Sequence, residues 1–436
     1  MPLRRVLKVK CIETVRKTQI FRTVFLERIF NMNILPTQKQ LEFMDWELGV
    51  FFHFGIRTFN EGHTDWDNVH MDINTFNPKK LDCEQWIKTI KKAGAKYAIL
   101  TTKHHDGFAN WPSAYTEYSV KNSPWKNGKG DVVKEFTDAC RKYDIKVGLY
   151  YSPAQFGFSD MSGKEYDDYF INQISELLTN YGKIDYLWFD GCGSENHEYD
   201  KDRIISVIRS LQPDILIFSM WDPDTRWIGN EEGYVPLGTE YVVDTAKTSI
   251  NETKSKQLSN AKFLPYECDC KIRRYNWFYS EHDEKYLRSI EDLKTLYKYS
   301  VGRGGNLLIN IAPDRNGLLP DSDSKNLIAF GEYVKNKFSS PIKCSISRKK
   351  DTYTIEFDKL CCIDTIVLSE NLIYGQQIKK FYIDYFYEVD MRLYNGLTVG
   401  HKQICELGTI FCDKERKLKI TVVADNDYEL DIKVYK

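Results

Sequence analysis

Tyr97-Ala-Ile-Leu-Thr-Thr102, Val147-Gly-Leu-Tyr-Tyr151 and Tyr186-Leu-Trp-Phe-Asp190 are short, nearly continuous apolar runs, and the segments between them carry apolar residues at helical spacing. Runs of this kind between helices read as strands buried on both faces, which is how a parallel sheet covered by helices looks in sequence. The helices are expected at Cys83–Ala93, with Trp86, Ile87 and Ile90 in line, at Asp131–Tyr143, with Val132, Val133, Phe136 and Ala139 on one face, and at Tyr166–Tyr181. Outward from this block the alternation continues. Val50-Phe-Phe-His-Phe-Gly55 reads as the strand before it; a helix near Ile204–Leu211 and the strand Ile215-Leu-Ile-Phe-Ser219 come after, and Asn306-Leu-Leu-Ile-Asn-Ile311 reads as the last strand. So many repeats favour an α/β fold closed as a (β/α)8-like TIM barrel over an open doubly wound sheet. No G-x-G-x-x-G or P-loop follows a strand, which removes the usual nucleotide-binding readings.

Past about Phe338 the pattern changes to strands without helices, at Tyr353–Phe357, Thr365–Leu368, Lys380–Ile383 and Leu418–Val423. Short strands at regular spacing indicate a β-sandwich. The expected division is therefore a catalytic barrel over 32–337 and a C-terminal β-sandwich over 338–436, with the boundary near Ser339-Ser-Pro341. Residues 1–31 stand apart: eight Lys/Arg against two acids give +6, and hence −7 in the remainder of a chain of net charge −1. The segment lacks the apolar core of a secretory signal and reads as a dispensable basic extension.

The 436 residues carry 61 Lys+Arg against 62 Asp+Glu, so there is no electrostatic case for nucleic-acid binding. A hydrophobic content of 42% excludes disorder throughout. No run of apolar residues is long enough for a transmembrane helix. Eleven cysteines without C-x-x-C spacing suggest scattered thiols in a reducing compartment, so the cytoplasm is the expected location. Oligomeric state is left open by the sequence.

In a barrel of this class, chemistry collects at the C-terminal ends of the strands. His53, Lys103-His104-His105-Asp106, Tyr151-Ser152, Asp190 and Trp221-Asp222 all fall there, which points to one polar pocket. Asp190, at a stiff strand end, suits a fixed nucleophile. Covalent glycoside hydrolysis needs a second carboxyl about 5–5.5 Å away, and Glu231, Glu232, Glu240 and Glu267 are candidates that spacing does not separate. His53, His104 and His105 offer donors for hydroxyl groups; Trp66, Trp188 and Tyr151 offer apolar ring faces.

Four motifs, His53-Phe-Gly55, Lys103-His-His-Asp-Gly-Phe108, Gly148-Leu-Tyr-Tyr-Ser152 and Leu187-Trp-Phe-Asp-Gly191, occur in this order. In them the chain resembles the α-L-fucosidases of glycoside hydrolase family 29, from about Leu35 to the C-terminus. The resemblance implies a retaining exo-fucosidase with a (β/α)8-like barrel and a C-terminal β-sandwich. It implies Asp190 as nucleophile, with His53, Trp66, His104, His105, Tyr151 and Trp188 binding the fucose. Thr225–Gly233, Pro265–Asp269 and Leu397–Lys402 look like the branch acting on α-1,3/1,4-linked fucose, which implies Glu231 as acid/base. Asp65 stands where that family often has Glu, at a position that contacts a fucose hydroxyl. The family is often exported, although no signal is visible here.

The expected mechanism uses two carboxylates: Asp190 stays ionised and attacks, while Glu231, in a more apolar setting, donates and then abstracts a proton. No metal or other cofactor is called for, and the expected partner is a fucosylated oligosaccharide or glycoconjugate. Two alternatives remain: a metal-dependent barrel hydrolase using His53, His104, His105 and Asp190 as ligands, and an inactive carbohydrate-binding protein.

Overall fold

The computed structural model describes residues 34–62, 69–154, 161–194, 197–252 and 254–436. Asp65, Trp66 and the basic segment 1–31 lie outside the described residues. The barrel strands are β1 (Leu48–Phe52), β2 (Tyr97–Lys103), β3 (Lys146–Tyr151), β4 (Tyr186–Phe189), β5 (Leu216–Phe218), β6 (Arg226–Trp227), β9 (Tyr266–Lys271) and β10 (Asn306–Asn310). They pair in the order β5-β4-β3-β2-β1-β10-β9-β6, every pair parallel. A parallel bridge between Phe218 and Thr225 brings β5 to the start of β6 and all but closes the ring.

Helices α2 (Cys83–Lys92), α3 (Val132–Lys142), α4 (Gly163–Asn180), α5 (Lys201–Leu211), α6 (Ile290–Tyr299) and α7 (Asp321–Phe338) belong to this part of the chain. Their starts follow from capping: Asp82, Asp131, Ser162, Asp200 and Ser289 each accept a hydrogen bond from an N–H of the first turn of α2 to α6. Two barrel strands, β6 and β9, escaped the sequence reading. No helix separates β5 from β6, which is only two residues long, and a hairpin of β7 (Val242–Ala246) and β8 (Lys256–Phe263) precedes β9.

Side-chain parity divides the barrel core in two. Phe51, Tyr97, Ile99, Tyr150, Tyr186, Trp188, Phe218, Trp227 and Leu308 form an interior cluster rich in aromatic rings. Their neighbours along the strands, such as Val50, Phe52, Ala98, Leu100, Leu149, Tyr151, Leu187 and Phe189, join the larger cluster that packs the helices. Side chains this large fit only because glycines on adjacent strands lie against them. A Cβ on Gly49 would lie 2.2 Å from Tyr97 Cζ, and one on Gly148 would lie 2.7 Å from Ile99 Cγ1. The N-terminal end is plugged by α1 (Gln38–Met44), whose Phe43, with Trp46 just after it, packs on Tyr97 and Tyr186.

After α7 come strands only: β11 (Ser345–Lys349), β12 (Thr352–Glu356), β13 (Cys361–Glu370), β14 (Ile378–Phe386), β15 (Asp390–Gly396), β16 (Gln403–Cys412), β17 (Lys417–Ala424) and β18 (Leu430–Tyr435). They form antiparallel sheets ordered β11-β12-β17-β14-β15 and β16-β13-β18. Ile355, Ile366, Leu368, Phe381, Ile383 and Ile420 are buried in their common core. This sandwich braces the barrel: the His401 N–H donates to the Tyr241 hydroxyl oxygen at 3.1 Å, and Tyr241 in turn donates to the Gly304 carbonyl at 2.7 Å.

Candidate active site

The C-terminal ends of the barrel strands enclose a cavity whose lining includes His53, His104, His105, Trp188, Asp190 and Glu231, six residues named from sequence. Asp190 follows β4 directly. Its Oδ1 accepts the Cys192 N–H at 2.9 Å, its Oδ2 accepts the Tyr150 hydroxyl at 2.8 Å, and His105 Nε2 lies 3.4 Å from Oδ2. Burial pushes the carboxyl up, but His105 and the hydrogen bonds from Cys192 and Tyr150 outweigh it and hold Asp190 below the ordinary carboxylate range. An anion with both oxygens engaged in this way stays ionised and stays aimed.

The histidines are held differently. His105 Nδ1 lies 2.6 Å from Ser152 Oγ, at the end of β3. His53 Nδ1 faces Asn310 Oδ1 at 2.8 Å; an amide oxygen only accepts, so the network assigns the proton to Nδ1. Burial lowers His53 to about 3, so this ring is neutral and its Nε2 is an acceptor suited to a hydroxyl. His104 is likewise pushed well below its usual value by burial, and its Nδ1 is buried without a hydrogen-bond partner. The His104 ring stacks on Tyr150 at 5.4 Å between centroids.

Of the four candidate acids, Glu231 alone lines the cavity among the described residues. Glu232 is exposed, Glu240 pairs with Lys379 of β14 at 2.7 Å, and Glu267 lies inside the barrel against Tyr97 and Trp188. The setting of Glu231 is ionic rather than apolar as expected: Lys271 Nζ is 3.3 Å from its Oε2 and 4.7 Å from the Trp277 ring centroid. Asp269 also lines the cavity, accepting the Trp227 indole N–H at 2.8 Å. Burial, and then the nearby Glu231, hold the Asp269 carboxyl well above its ordinary value.

Tyr151 requires a correction. It points out of the barrel, donates to Gln173 Oε1 on α4 at 2.7 Å and lies under the Lys103 ammonium at 4.4 Å. Strand alternation puts Tyr150 into the cavity instead, in register with Trp188. The sequence reading also missed Trp227, Thr248, Ser249, Asp269 and Trp277 on the cavity wall. The parity of Trp188 is the signal that would have found Tyr150; Trp277 sits in a loop and gives none. Among the described residues, no group of three or more His, Cys, Asp or Glu is placed to hold a metal ion.

A sequence model of the alpha-L-fucosidase family matches residues 30–337. The chain is 32% identical over 434 residues to alpha-L-fucosidase 1 of Arabidopsis thaliana, an alignment covering 89% of this chain and 84% of the relative. Among solved structures, a glycoside hydrolase 29 family member from an unknown rumen bacterium superposes with a TM-score of 0.82 at 34% identity, covering 92% of this chain and 77% of that one. A Ruminococcus gnavus fucosidase of the same glycoside hydrolase family, in complex with fucose, superposes with a TM-score of 0.78 at 26% identity, covering 92% of this chain and 95% of the other.

Proposed function

The chain belongs to the alpha-L-fucosidase family and is an alpha-L-fucosidase glycoside hydrolase, and on that premise we propose that it releases terminal α-L-fucose with retention, Asp190 acting as nucleophile and Glu231 as acid/base. One observation carries the proposal: an ionised, doubly anchored Asp190 shares its cavity with Glu231, the one glutamate on the lining among the described residues.

In the first step Asp190 forms a bond to the anomeric carbon as the glycosidic C–O bond breaks, and Glu231 gives its proton to the leaving oxygen. In the second, Glu231 takes a proton from water, the water oxygen bonds to the anomeric carbon, and the Asp190 ester bond breaks to free fucose. His53, His104 and His105 engage the sugar hydroxyls; the edge of the Trp188 indole and the Trp277 ring line its apolar side. Asp65 and Trp66 complete the expected substrate-binding set, and Tyr150 takes the place first given to Tyr151. The favoured substrate is α-1,3/1,4-linked fucose on oligosaccharides or glycoconjugates, a preference supported by the Thr225–Gly233 segment that carries Glu231.

The test is hydrolysis of a Lewis-type trisaccharide by the wild type, Asp190→Asn and Glu231→Ala, with and without azide. Both variants should lose at least about 100-fold in rate, in keeping with the loss of a nucleophile or general acid, and azide should yield a fucosyl azide with Glu231→Ala. Full activity of Glu231→Ala would remove the acid/base assignment, and release of α-1,2-linked fucose alone would remove the linkage preference.

A further inference from the structure

Beneath the cavity floor lies a carboxyl group that the double displacement does not use. Glu267, on β9, is fully buried and faces the barrel interior in register with Asn306. Its Oε1 accepts the Trp188 indole N–H at 2.9 Å and its Oε2 accepts the Tyr97 hydroxyl at 2.5 Å. The titratable groups facing it are Tyr97 from β2, Tyr186 from β4 and Asp269 on its own strand. Phe43 and Trp46 at the plug, Gly49 on β1, Trp227 on β6 and Asn306 on β10 bring no charge. Among the described residues no Lys, Arg or His forms an ion pair with it. A buried carboxylate without a cation is costly, and an apolar side chain of similar size would pack such an interior at lower cost. Its position suggests what it does there.

The indole that Glu267 holds lines the cavity. Trp188 is sandwiched between Phe218, at 4.1 Å and 12°, and Tyr150, at 5.4 Å and 22°. Stacking fixes the plane of the ring, but only a directional bond fixes where its N–H points within that plane. A hydrogen bond from its one polar atom to a rigid strand supplies that direction.

We propose that Glu267 is a positioning residue for the reaction, clamping the Trp188 indole from below so that the apolar side of fucose meets a wall of set shape. The proposal rests on reading the cavity as the fucose pocket. Burial pushes the Glu267 carboxyl up, to about 7, against the hydrogen bonds from Tyr97, Trp188 and Tyr186. The ionised group accepts from both donors. The protonated group brings an O–H to where Tyr97 already presents one, and its bond to the indole is no longer charge-assisted. The clamp is therefore firm above this pH and loose below it.

The experiment compares wild type, Glu267→Gln and Tyr97→Phe on an aryl α-L-fucoside from pH 6 to 8, and follows the Trp188 indole N–H by NMR, assigned through Trp188→Phe. Glutamine still accepts the indole N–H but neither charges nor titrates. Glu267→Gln should raise KM about tenfold at pH 8, the loss of one charge-assisted bond, with a smaller change in kcat, because Asp190 keeps its own partners. The wild-type KM should fall between pH 6 and 8, and Glu267→Gln should abolish that fall. Tyr97→Phe, which deletes one donor and keeps the ring, should move the midpoint of that fall to higher pH. The Trp188 signal should titrate near neutrality in the wild type and not in Glu267→Gln. Wild-type KM at both pH values in folded Glu267→Gln, or a Trp188 signal indifferent to pH in the wild type, overturns the proposal. If the wild type and Asp190→Asn alike release no fucose, the fucose reading fails, and the Trp188 titration still decides whether the clamp exists.

Discussion

Tyr150 and Tyr151 are chemically identical, and one step along β3 gives them unrelated roles. Tyr150 holds the Asp190 carboxylate at 2.8 Å, whereas Tyr151 serves the barrel–helix packing through Gln173. Tyr150→Phe should lower kcat/KM by roughly tenfold or more, as loss of a donor to a developing or fixed charge does. It should also move the acid limb of the pH profile to higher pH. The sign follows from Asp190: its carboxyl is held low in the folded enzyme, and each donor removed lets it protonate at a higher pH, so the ionised form that the proposed mechanism requires is lost earlier on acidification. Tyr151→Phe should leave kcat/KM within about twofold and cost about 1 kcal/mol of stability, the worth of one ordinary hydrogen bond. Parallel pH profiles for the two variants would refute this division of labour. His53, His104, His105 and Asp190 were legible as candidates because polar groups at apolar strand ends have few structural reasons to be there, whereas Glu231 came only from the family resemblance, the residues themselves leaving four glutamates open. Tyr151 misled because a motif names a neighbourhood and only the pleat names the face.

Strands were legible in proportion to how apolar their residues are. β2, β4 and β10 read as apolar runs because both faces are buried against hydrocarbon. β9 is equally buried, but its inward positions are Glu267 and Asp269, alternating with Cys268 and Cys270, so it resembles a loop in sequence. β6 has two residues and no period to detect. β1 depends on Gly49, whose missing side chain admits the Tyr97 ring that meets Glu267. Gly49→Ala should therefore destabilise by about 1–3 kcal/mol, the usual cost of overpacking a core, as measured by urea unfolding. It should also raise KM, since displacing Tyr97 disturbs the support of Trp188. A stability indistinguishable from wild type would mean that the interior has room the packing does not show.

The barrel and the sandwich are joined through polar contacts as well as apolar ones. Lys402 pairs with Glu47 just before β1, Phe338 at the end of α7 meets Tyr435 at 5.3 Å, and the Tyr241 hydroxyl bridges Gly304 and His401. Tyr241→Phe removes the partner of the half-buried His401 N–H and of the buried Gly304 carbonyl and should cost about 1–3 kcal/mol, read as a lower urea midpoint with an unchanged slope. A second, separate transition would show instead that the sandwich unfolds on its own. For the molecule as a whole, the sequence alone determined the fold class, the strand-dominated C-terminal part, the nucleophile candidate and most of the pocket. These rest on local patterns: apolar period, turn residues and polar groups at strand ends. Only the tertiary structure decided which tyrosine faces the cavity, which of four glutamates reaches it, and that Asp269, Trp277 and Glu267 gather around it. Those facts depend on register, closure and loop path, which bring together residues far apart in the chain and leave no periodic trace along it.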